Sequence, residues 1–124
     1  MKIALDLDET ITAHPEFFRA LTAAMAPAHE IHVVTDRPPG TEAEAAALLD
    51  RLGITYHVLK ITADKHNYVL RTGIEAVFDD VDRYVQRLPE TVAVFKVRDA
   101  GNFNFKTGRW LYDAYTGESV DEVG

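Results

Sequence analysis

The sequence predicts an α/β protein of three layers, in which a central parallel sheet of about five strands lies between helices with the first strand in the middle. Short apolar runs rich in β-branched residues alternate with helix-like stretches, which is typical of repeated βα units. The chain has 124 residues, of which 47% are hydrophobic, enough for one core and too few for two. We therefore predict one domain over residues 1–124, with a core of residues 1–98 and an aromatic C-terminal extension of residues 99–124.

The strands are predicted from apolar runs with few polar interruptions, as expected for strands that are covered on both faces. These runs are residues 2–7, 31–35, 56–61, 76–78 and 92–97. Helices are predicted between them. Pro15 suits the first turn of the first helix, and residues 81–88, followed by Pro89, form the last. The apolar face of the first helix has helical spacing and consists of Phe17, Phe18, Leu21 and Met25.

Capping signals predict the bounds of two further helices. Thr41 and Glu44 form a capping box ahead of the alanine-rich run 45–52, and Gly53 suits the left-handed residue after the last turn. Asp64 is expected to cap a shorter helix that ends at Gly73.

The C-terminal segment differs in character, because aromatic residues flank a short turn with Gly108 at a positive-φ position. This pattern predicts a β-hairpin. The apolar residues concerned are Phe103, Phe105, Trp110, Leu111 and Tyr112. Residues 103–115 either pack on their own domain, cover a site, or form a homodimer contact.

The composition argues against several classes of function. A formal net charge of −7 disfavours long nucleic acid and anionic membranes as partners. The chain has no cysteine, which excludes disulfides, thiolate zinc sites and cysteine nucleophiles. No segment approaches the roughly 18 apolar residues of a membrane span, and the first residues do not form a basic leader. We therefore expect a cytoplasmic protein.

Polar side chains gather where the predicted strands end. The carboxyl ends of parallel strands share one edge of the sheet, and ligands of open α/β sheets bind there. The residues expected at this edge are Asp6, Asp8, Thr35, Asp36, Arg37, Lys65, Asp79 and Asp80.

The acidic residues of this group predict a metal site. Asp6 and Asp8 would repel each other unless a cation or a shared proton separates them. With the pair at 79–80 they offer the hard oxygen ligands that suit Mg²⁺. Thr35 and Lys65 would then hold phosphate oxygens, so the expected partner is a phosphorylated small molecule.

Taken in order, these residues resemble the signature motifs of the haloacid dehalogenase (HAD) superfamily of phosphohydrolases. An apolar strand followed by a DxDxT run at residues 6–10 resembles the first motif, and the strand ending in Thr35 resembles the second. Lys65 is similar to the third motif, and residues 78–80 are similar to the fourth. The motifs span residues 3–80, about two thirds of the chain. The resemblance implies a Rossmann-like (HAD-like) fold and magnesium-dependent phosphatase activity.

The resemblance also implies roles for the matching residues. Asp6 would be the nucleophile that forms an aspartyl-phosphate, and Asp8 would protonate the leaving group and then activate water. Thr35 would bind the transferring phosphoryl group and Lys65 would neutralise it. The implied Mg²⁺ ligands are Asp6, the backbone carbonyl of Asp8, Asp79, and Asp80 as a direct or outer ligand. The other expected substrate contacts are Thr10, Asp36 and Arg37.

Two features indicate which members of the superfamily the chain resembles most. The second acid, Asp8, favours phosphoryl transfer over dehalogenation, because cleavage of a carbon–halogen bond needs no proton for its leaving group. Arg37 and the short spacing between the third and fourth motifs resemble the branch that contains polynucleotide 3'-phosphatase domains and nucleotidases. Lys60 is the rival of Lys65 for the third motif.

The segments after the first two motifs, residues 11–30 and 36–56, are too short for the cap domain that many HAD relatives insert. We therefore expect no cap domain and an open site, covered by a large substrate or by another subunit. Two alternatives to hydrolysis stay open. One is a phosphotransferase that uses the same intermediate, and the other is a catalytically idle module that binds phosphate or a nucleotide.

Overall fold

The computed structural model describes residues 1–112 and contains a five-stranded sheet in which every pairing is parallel. Its strands are β1 (Lys2–Leu5), β2 (Glu30–Thr35), β3 (Val58–Ile61), β4 (Ala76–Asp79) and β5 (Ala93–Lys96). Their order across the sheet is β3-β2-β1-β4-β5. The predicted α/β class, the parallel sheet and the central first strand are confirmed.

Helices cover both faces of the sheet and make three layers. They are α1 (Pro15–Met25), α2 (Glu42–Leu52), α3 (Lys65–Thr72) and α4 (Asp82–Val85). Side chains alternate along β1, so that Ile3 and Leu5 join the core with α1 and α2, whereas Ala4 joins the core with α3 and α4. Leu5 is fully buried, which contributes roughly 1.5–3 kcal/mol relative to an exposed side chain.

Three strands are shorter than predicted, and one of them is β5, which is Ala93–Lys96 rather than residues 92–97. β1 ends at Leu5 rather than at residue 7, because the chain leaves the sheet into a π-type turn, Leu7–Ile11. β3 begins at Val58 rather than at residue 56. His57 explains the later start, since its Nδ1 accepts the backbone N–H of Ile31 at 2.9 Å, where a longer strand would place a backbone carbonyl.

Most of the predicted helix signals are confirmed, and one is wrong. Gly53 at φ 73° and Gly73 at φ 75° end α2 and α3 in the left-handed region, which glycine adopts without strain. The predicted capping box does not form. The Thr41 hydroxyl donates instead to the backbone carbonyl of Pro38 at 2.7 Å and makes no bond to the helix.

The first and last helices also differ in part from the prediction. Pro15 begins α1 as expected. Within the predicted apolar face, Phe18 is buried whereas Phe17 is 55% exposed. The helix predicted over residues 81–88 is a single turn, Asp82–Val85.

The predicted hairpin is present as β6 (Phe103–Asn104) and β7 (Arg109–Trp110), which pair antiparallel with Gly108 at φ 73° in the turn. The Asn102 side chain joins this hairpin to the sheet, since its amide donates to the carbonyls of Asp80 at 2.9 Å and Val97 at 2.8 Å. The extension beyond Tyr112 lies outside the described residues, so the predicted cover or dimer contact stays a prediction. None of the helices within residues 1–112 has the length and apolar character needed to cross a membrane.

A buried histidine connects the sheet to α3 by polar bonds. His32 on β2 is 2% exposed. Its Nδ1 lies 2.8 Å from the Tyr68 hydroxyl on α3, and its Nε2 lies 2.6 Å from Oε1 of Glu30. Both ring nitrogens therefore have partners, as a buried imidazole requires.

The N-cap of α3 gives a testable prediction. Asp64 accepts the backbone N–H of Asn67 at 3.1 Å, as predicted. Asp64→Ala should lower the free energy of unfolding by about 1 kcal/mol, measured by urea titration. Asp50→Ala, at an exposed position on α2, is the control and should change it by less than about 0.5 kcal/mol. An unchanged stability of the Asp64 variant would contradict the capping role.

Candidate functional site

The candidate site lies at the carboxyl edge of the sheet, beyond the ends of β1 and β4. These neighbouring strands mark the point where the strand order reverses, which is where open α/β sheets bind ligands. Asp6 follows β1 directly, and its backbone N–H donates to the carbonyl of Phe78 on β4 at 2.9 Å. Asp79 is the last residue of β4. The two carboxylates therefore leave adjacent strands side by side.

The turn Leu7–Ile11 follows Asp6 directly. Leu7, Thr10 and Ile11 are buried in it. Glu9 stands at φ 63°, a conformation that costs a residue other than glycine roughly 1–2 kcal/mol. The bond from its backbone N–H to Oγ1 of Thr12 at 2.8 Å helps to hold it there. Strain of this kind is often retained at functional sites.

A buried ammonium joins the two carboxylates. Lys65 Nζ donates to Oδ1 of Asp6 at 2.7 Å and to Oδ2 of Asp79 at 3.1 Å, and all three residues are buried. Burial alone would lower the pKa of Lys65, but the Asp79 and Asp6 carboxylates outweigh it and the pKa is raised. The first residue of α3 therefore carries a permanent positive charge into the site at neutral pH.

A third carboxyl, that of Asp80, shares the Thr10 hydroxyl with Asp6. Thr10 Oγ1 lies 3.0 Å from Oδ2 of Asp6 and 3.3 Å from Oδ1 of Asp80. Burial, a hydrogen bond with Asp6 and the nearby negative charges raise the pKa of Asp80 to about 9. Burial and the charge of Asp6 raise the pKa of Asp79 to about 6, even though Lys65 opposes the shift. The cluster thus holds more acidic groups than its own cation neutralises.

The donor set of this cluster fits a hard divalent cation. Asp6, Asp79 and Asp80 each have a carboxylate oxygen within 4.8 Å of the others, and Mg²⁺ prefers such oxygen ligands. Asp79 has a partner for each oxygen, namely Lys65 and the backbone N–H of Val81 at 3.0 Å. Oδ2 of Asp6 and Oδ1 of Asp80 share the Thr10 hydroxyl, which has a single proton to donate. Oδ1 of Asp6 accepts from Lys65, so Asp6, like Asp79, has a partner for each oxygen.

Asp8 turns away from the cluster and pairs with Arg37. Nε of Arg37 donates to Oδ2 of Asp8 at 2.9 Å, and Nη2 donates to Oδ1 at 2.8 Å. These bonds hold the pKa of Asp8 below its usual value. The backbone N–H of Arg37 donates to Oγ1 of Thr35 at 3.3 Å. The repulsion predicted between Asp6 and Asp8 is therefore relieved by Arg37 and Lys65, which are cations of the chain itself.

Asp36 contacts a residue that the sequence analysis did not identify. Its Oδ2 accepts a hydrogen bond from the Tyr84 hydroxyl at 2.6 Å, and Nη2 of Arg83 donates to the same hydroxyl at 2.8 Å. The Tyr84 ring centroid is 4.6 Å from Lys65 Nζ. The only signal in the sequence was the position of Tyr84 shortly after the acidic pair at 79–80.

The structure separates the two lysines considered for the third motif. Lys65 Nζ contacts Asp6 and Asp79 directly. Lys60 Nζ lies 5.9 Å from the ring centroid of Tyr68 and makes no hydrogen bond to the acidic cluster within residues 1–112. Lys65 is therefore the lysine that the fold brings to this edge.

Comparison with known proteins identifies no relative, since no family model matches the chain and neither the curated proteins nor the solved structures contain a match. The fold is that of an α/β protein with a five-stranded parallel sheet flanked by helices. Its site is a buried lysine–carboxylate cluster at the carboxyl edge of that sheet.

The raised carboxyl pKa values predict how stability depends on pH. The folded chain keeps the Asp80 proton until about pH 9, whereas the unfolded chain releases it near the ordinary value of 3.8. Rising pH therefore favours the unfolded chain across that interval. Without added metal, the free energy of unfolding should decrease as the pH rises from 3.8 to about 9. Asp80→Asn should make this decrease smaller. Thermal unfolding in chelator across pH measures both.

The control for this experiment is Asp50→Asn, at an exposed position on α2, which should keep the pH dependence of the wild-type protein. Mg²⁺ should stabilise the wild-type protein more at high pH than at low pH, because the cation and the protons compete for the same oxygens. An Asp80→Asn variant with the wild-type pH dependence would contradict the assignment.

Proposed function

We propose that this protein is a magnesium-dependent phosphomonoester hydrolase of the HAD type, which works through a covalent aspartyl-phosphate on Asp6. The observation that carries the proposal is the Asp6 carboxylate held 2.7 Å from the Lys65 ammonium within a cluster of carboxyl groups at the carboxyl edge of the sheet. Covalent catalysis by a carboxylate needs such a fixed nucleophile, and phosphoryl transfer needs positive charge beside it. The motif resemblance assigns the same roles to these two residues.

The reaction would proceed in two displacements. In the first, a carboxylate oxygen of Asp6 attacks phosphorus, the ester P–O bond breaks, and Asp8, which takes up a proton from solvent once Arg37 has left it, gives this proton to the leaving alkoxide. In the second, Asp8 takes a proton from water, whose oxygen attacks phosphorus and breaks the bond to Asp6. Inorganic phosphate leaves, and both side chains return to their starting states. General acid–base help of this kind contributes roughly 10²- to 10⁴-fold in rate.

The acidic cluster supports Mg²⁺ as the cofactor. When bound, the ion would neutralise charge on the oxygens of the transferring phosphoryl group. The side-chain ligands would be Asp6, Asp79 and Asp80, whose carboxylate oxygens lie within 4.8 Å of one another. The resemblance adds the backbone carbonyl of Asp8.

The contacts of Arg37 support a mechanism in which this residue changes its hydrogen-bond partner when the substrate binds. Both oxygens of Asp8 accept bonds from Arg37, so this guanidinium has to leave before Asp8 can serve the leaving group. A phosphate group offers Arg37 an equivalent two-point partner. We propose that Arg37 transfers to the substrate, while Thr35 and Thr10 line the phosphoryl position.

The open edge supports a phosphorylated small molecule as substrate. In the described part of the chain, the connections after β1 and β2 contain only the Leu7–Ile11 turn and the helices α1 and α2, so no inserted domain separates the carboxylates from solvent. The net charge of −7 favours small substrates over long nucleic acids. We propose a cytoplasmic enzyme of this uncapped kind.

The nucleophile assignment gives the central prediction. Asp6→Asn should lower turnover of an aryl phosphate in the presence of Mg²⁺ by at least about 10³-fold, because the amide cannot form the covalent intermediate. Circular dichroism should show an intact fold. Asp50→Asn is the matched control and should keep wild-type turnover. Activity retained by the Asp6 variant would remove the nucleophile. A wild-type protein that binds Mg²⁺ without any turnover would instead favour the binding module.

A second experiment separates hydrolysis from phosphoryl transfer to another acceptor. With glycerol added, a hydrolase should still release inorganic phosphate in an amount close to that of the liberated phenol. A phosphotransferase would release less phosphate than phenol, and the difference would appear as glycerol phosphate. Product analysis by ³¹P NMR measures both outcomes.

A further inference from the structure

Tyr84 is an aromatic side chain that contacts both the buried lysine and the loop after β2. Its ring faces Lys65 Nζ at 4.6 Å, and its hydroxyl donates to Asp36 at 2.6 Å. Arg83, the preceding residue, donates to the same hydroxyl and lies over the same ring at 4.9 Å. The hydroxyl has therefore one partner as a donor and one as an acceptor, so the position of the ring is well determined.

The ring completes the surroundings of the Lys65 ammonium. An ammonium group has three N–H donors, and two of them are directed to Asp6 and Asp79. The electron-rich face of Tyr84 is the third contact, at a distance typical of a cation–π interaction. Lys65 is only 4% exposed.

Tyr84 and Lys65 together line two cavities at this edge. A cavity of about 460 Å³ opens at the surface beside α3 and α4, and its lining includes Asp36, Lys65, His66 and Tyr84. On the inner side, a far smaller cavity of about 10 Å³ is lined by Asp6, Lys65, Asp79 and Tyr84. The ring therefore covers one face of the ammonium at the point where Lys65 borders both cavities.

We infer that Tyr84 is a positioning residue for Lys65, whose ring excludes water from the ammonium and fixes its direction toward Asp6 and Asp79. The consequence for the reaction rests on the proposed function, in which Asp6 is the nucleophile. A lysine that is hydrated or free to turn would hold Asp6 less firmly and would stabilise the transferring phosphoryl group less well. The bond to Asp36 keeps the ring in place from the side of the β2 loop.

The first test measures access to Lys65 and does not depend on catalysis. Brief acetylation with acetic anhydride, read by peptide mass spectrometry, gives the labelling of Lys65 relative to the exposed Lys106. Tyr84→Leu should raise that ratio about tenfold, because the cation–π contact and the barrier to water are both lost. Tyr84→Phe should keep the ratio near that of the wild-type protein, since it keeps the ring.

The matched control is Tyr56→Leu. Tyr56 is partly buried against the other core cluster, so its loss removes a comparable ring without a contact to Lys65. This variant should label Lys65 as the wild-type protein does. It also reports how far a general loss of stability contributes.

The second test is kinetic and separates positioning from substrate binding. Tyr84→Leu should lower kcat about tenfold and change KM less than about twofold, because the lost interaction acts on the transition state. Tyr84→Phe should restore kcat to within about threefold of wild type. A merely structural role of Tyr84 would not lower kcat while leaving KM nearly unchanged, and would not be restored by Tyr84→Phe.

The outcomes of the two tests are distinct. Equal labelling of Lys65 in Tyr84→Leu and wild type would overturn the inference, and so would an equal rise in Tyr56→Leu. A wild-type protein without turnover would refute the proposed function, and the labelling ratios alone would then decide whether Tyr84 shields and orients Lys65. Wild-type turnover with an unchanged kcat in Tyr84→Leu would overturn the positioning role while leaving the phosphatase proposal in place.

Discussion

The carboxyl edge of the sheet depends on one buried ammonium between two carboxylates. Desolvating charged groups costs several kcal/mol for each ion, and good geometry between the partners has to offset that cost. Lys65 meets this condition at 2.7 Å from Asp6 and 3.1 Å from Asp79. Without it, two buried acids would leave adjacent strands with no counter-charge. Lys65 thus makes it possible for β1 and β4 to end side by side in acidic residues.

The same cluster is left with an excess of acid, and this excess connects stability to chemistry. Asp80 shares the Thr10 hydroxyl with Asp6 and retains a proton where an exposed carboxyl would release it. A protein selected for stability alone would gain by replacing such a group with a neutral residue. We interpret the arrangement as a cation-binding site, in which acidic groups that bind a cation lower the stability of the metal-free fold.

The sequence predicted those features that depend on local pattern. Apolar runs, Gly53 and Gly73 located the sheet and two helix ends correctly, because hydrophobic periodicity and left-handed glycines act over a few residues. The Thr41 cap failed because its hydroxyl is directed toward the backbone carbonyl of Pro38, to which it donates, and no sequence pattern fixes the direction of a side chain.

The candidate site also has features that the sequence predicts and features that it does not. The residues that follow strands could be predicted to meet at one edge, since parallel topology brings strand ends together. The pairing of Asp8 with Arg37 and the contact of Tyr84 with Lys65 depend on side-chain directions in three dimensions.

The buried His32 has a consequence for the orientation of α3. Apolar packing against a sheet is non-directional, so it leaves a helix some freedom to roll about its own axis. The bond between His32 and the Tyr68 hydroxyl is directional and removes that freedom. Tyr68 follows Lys65 by three residues, close to one helical turn, so both side chains leave the same side of α3. A histidine at mid-sheet therefore sets the angle at which the lysine at the end of the helix enters its pocket, without touching that lysine.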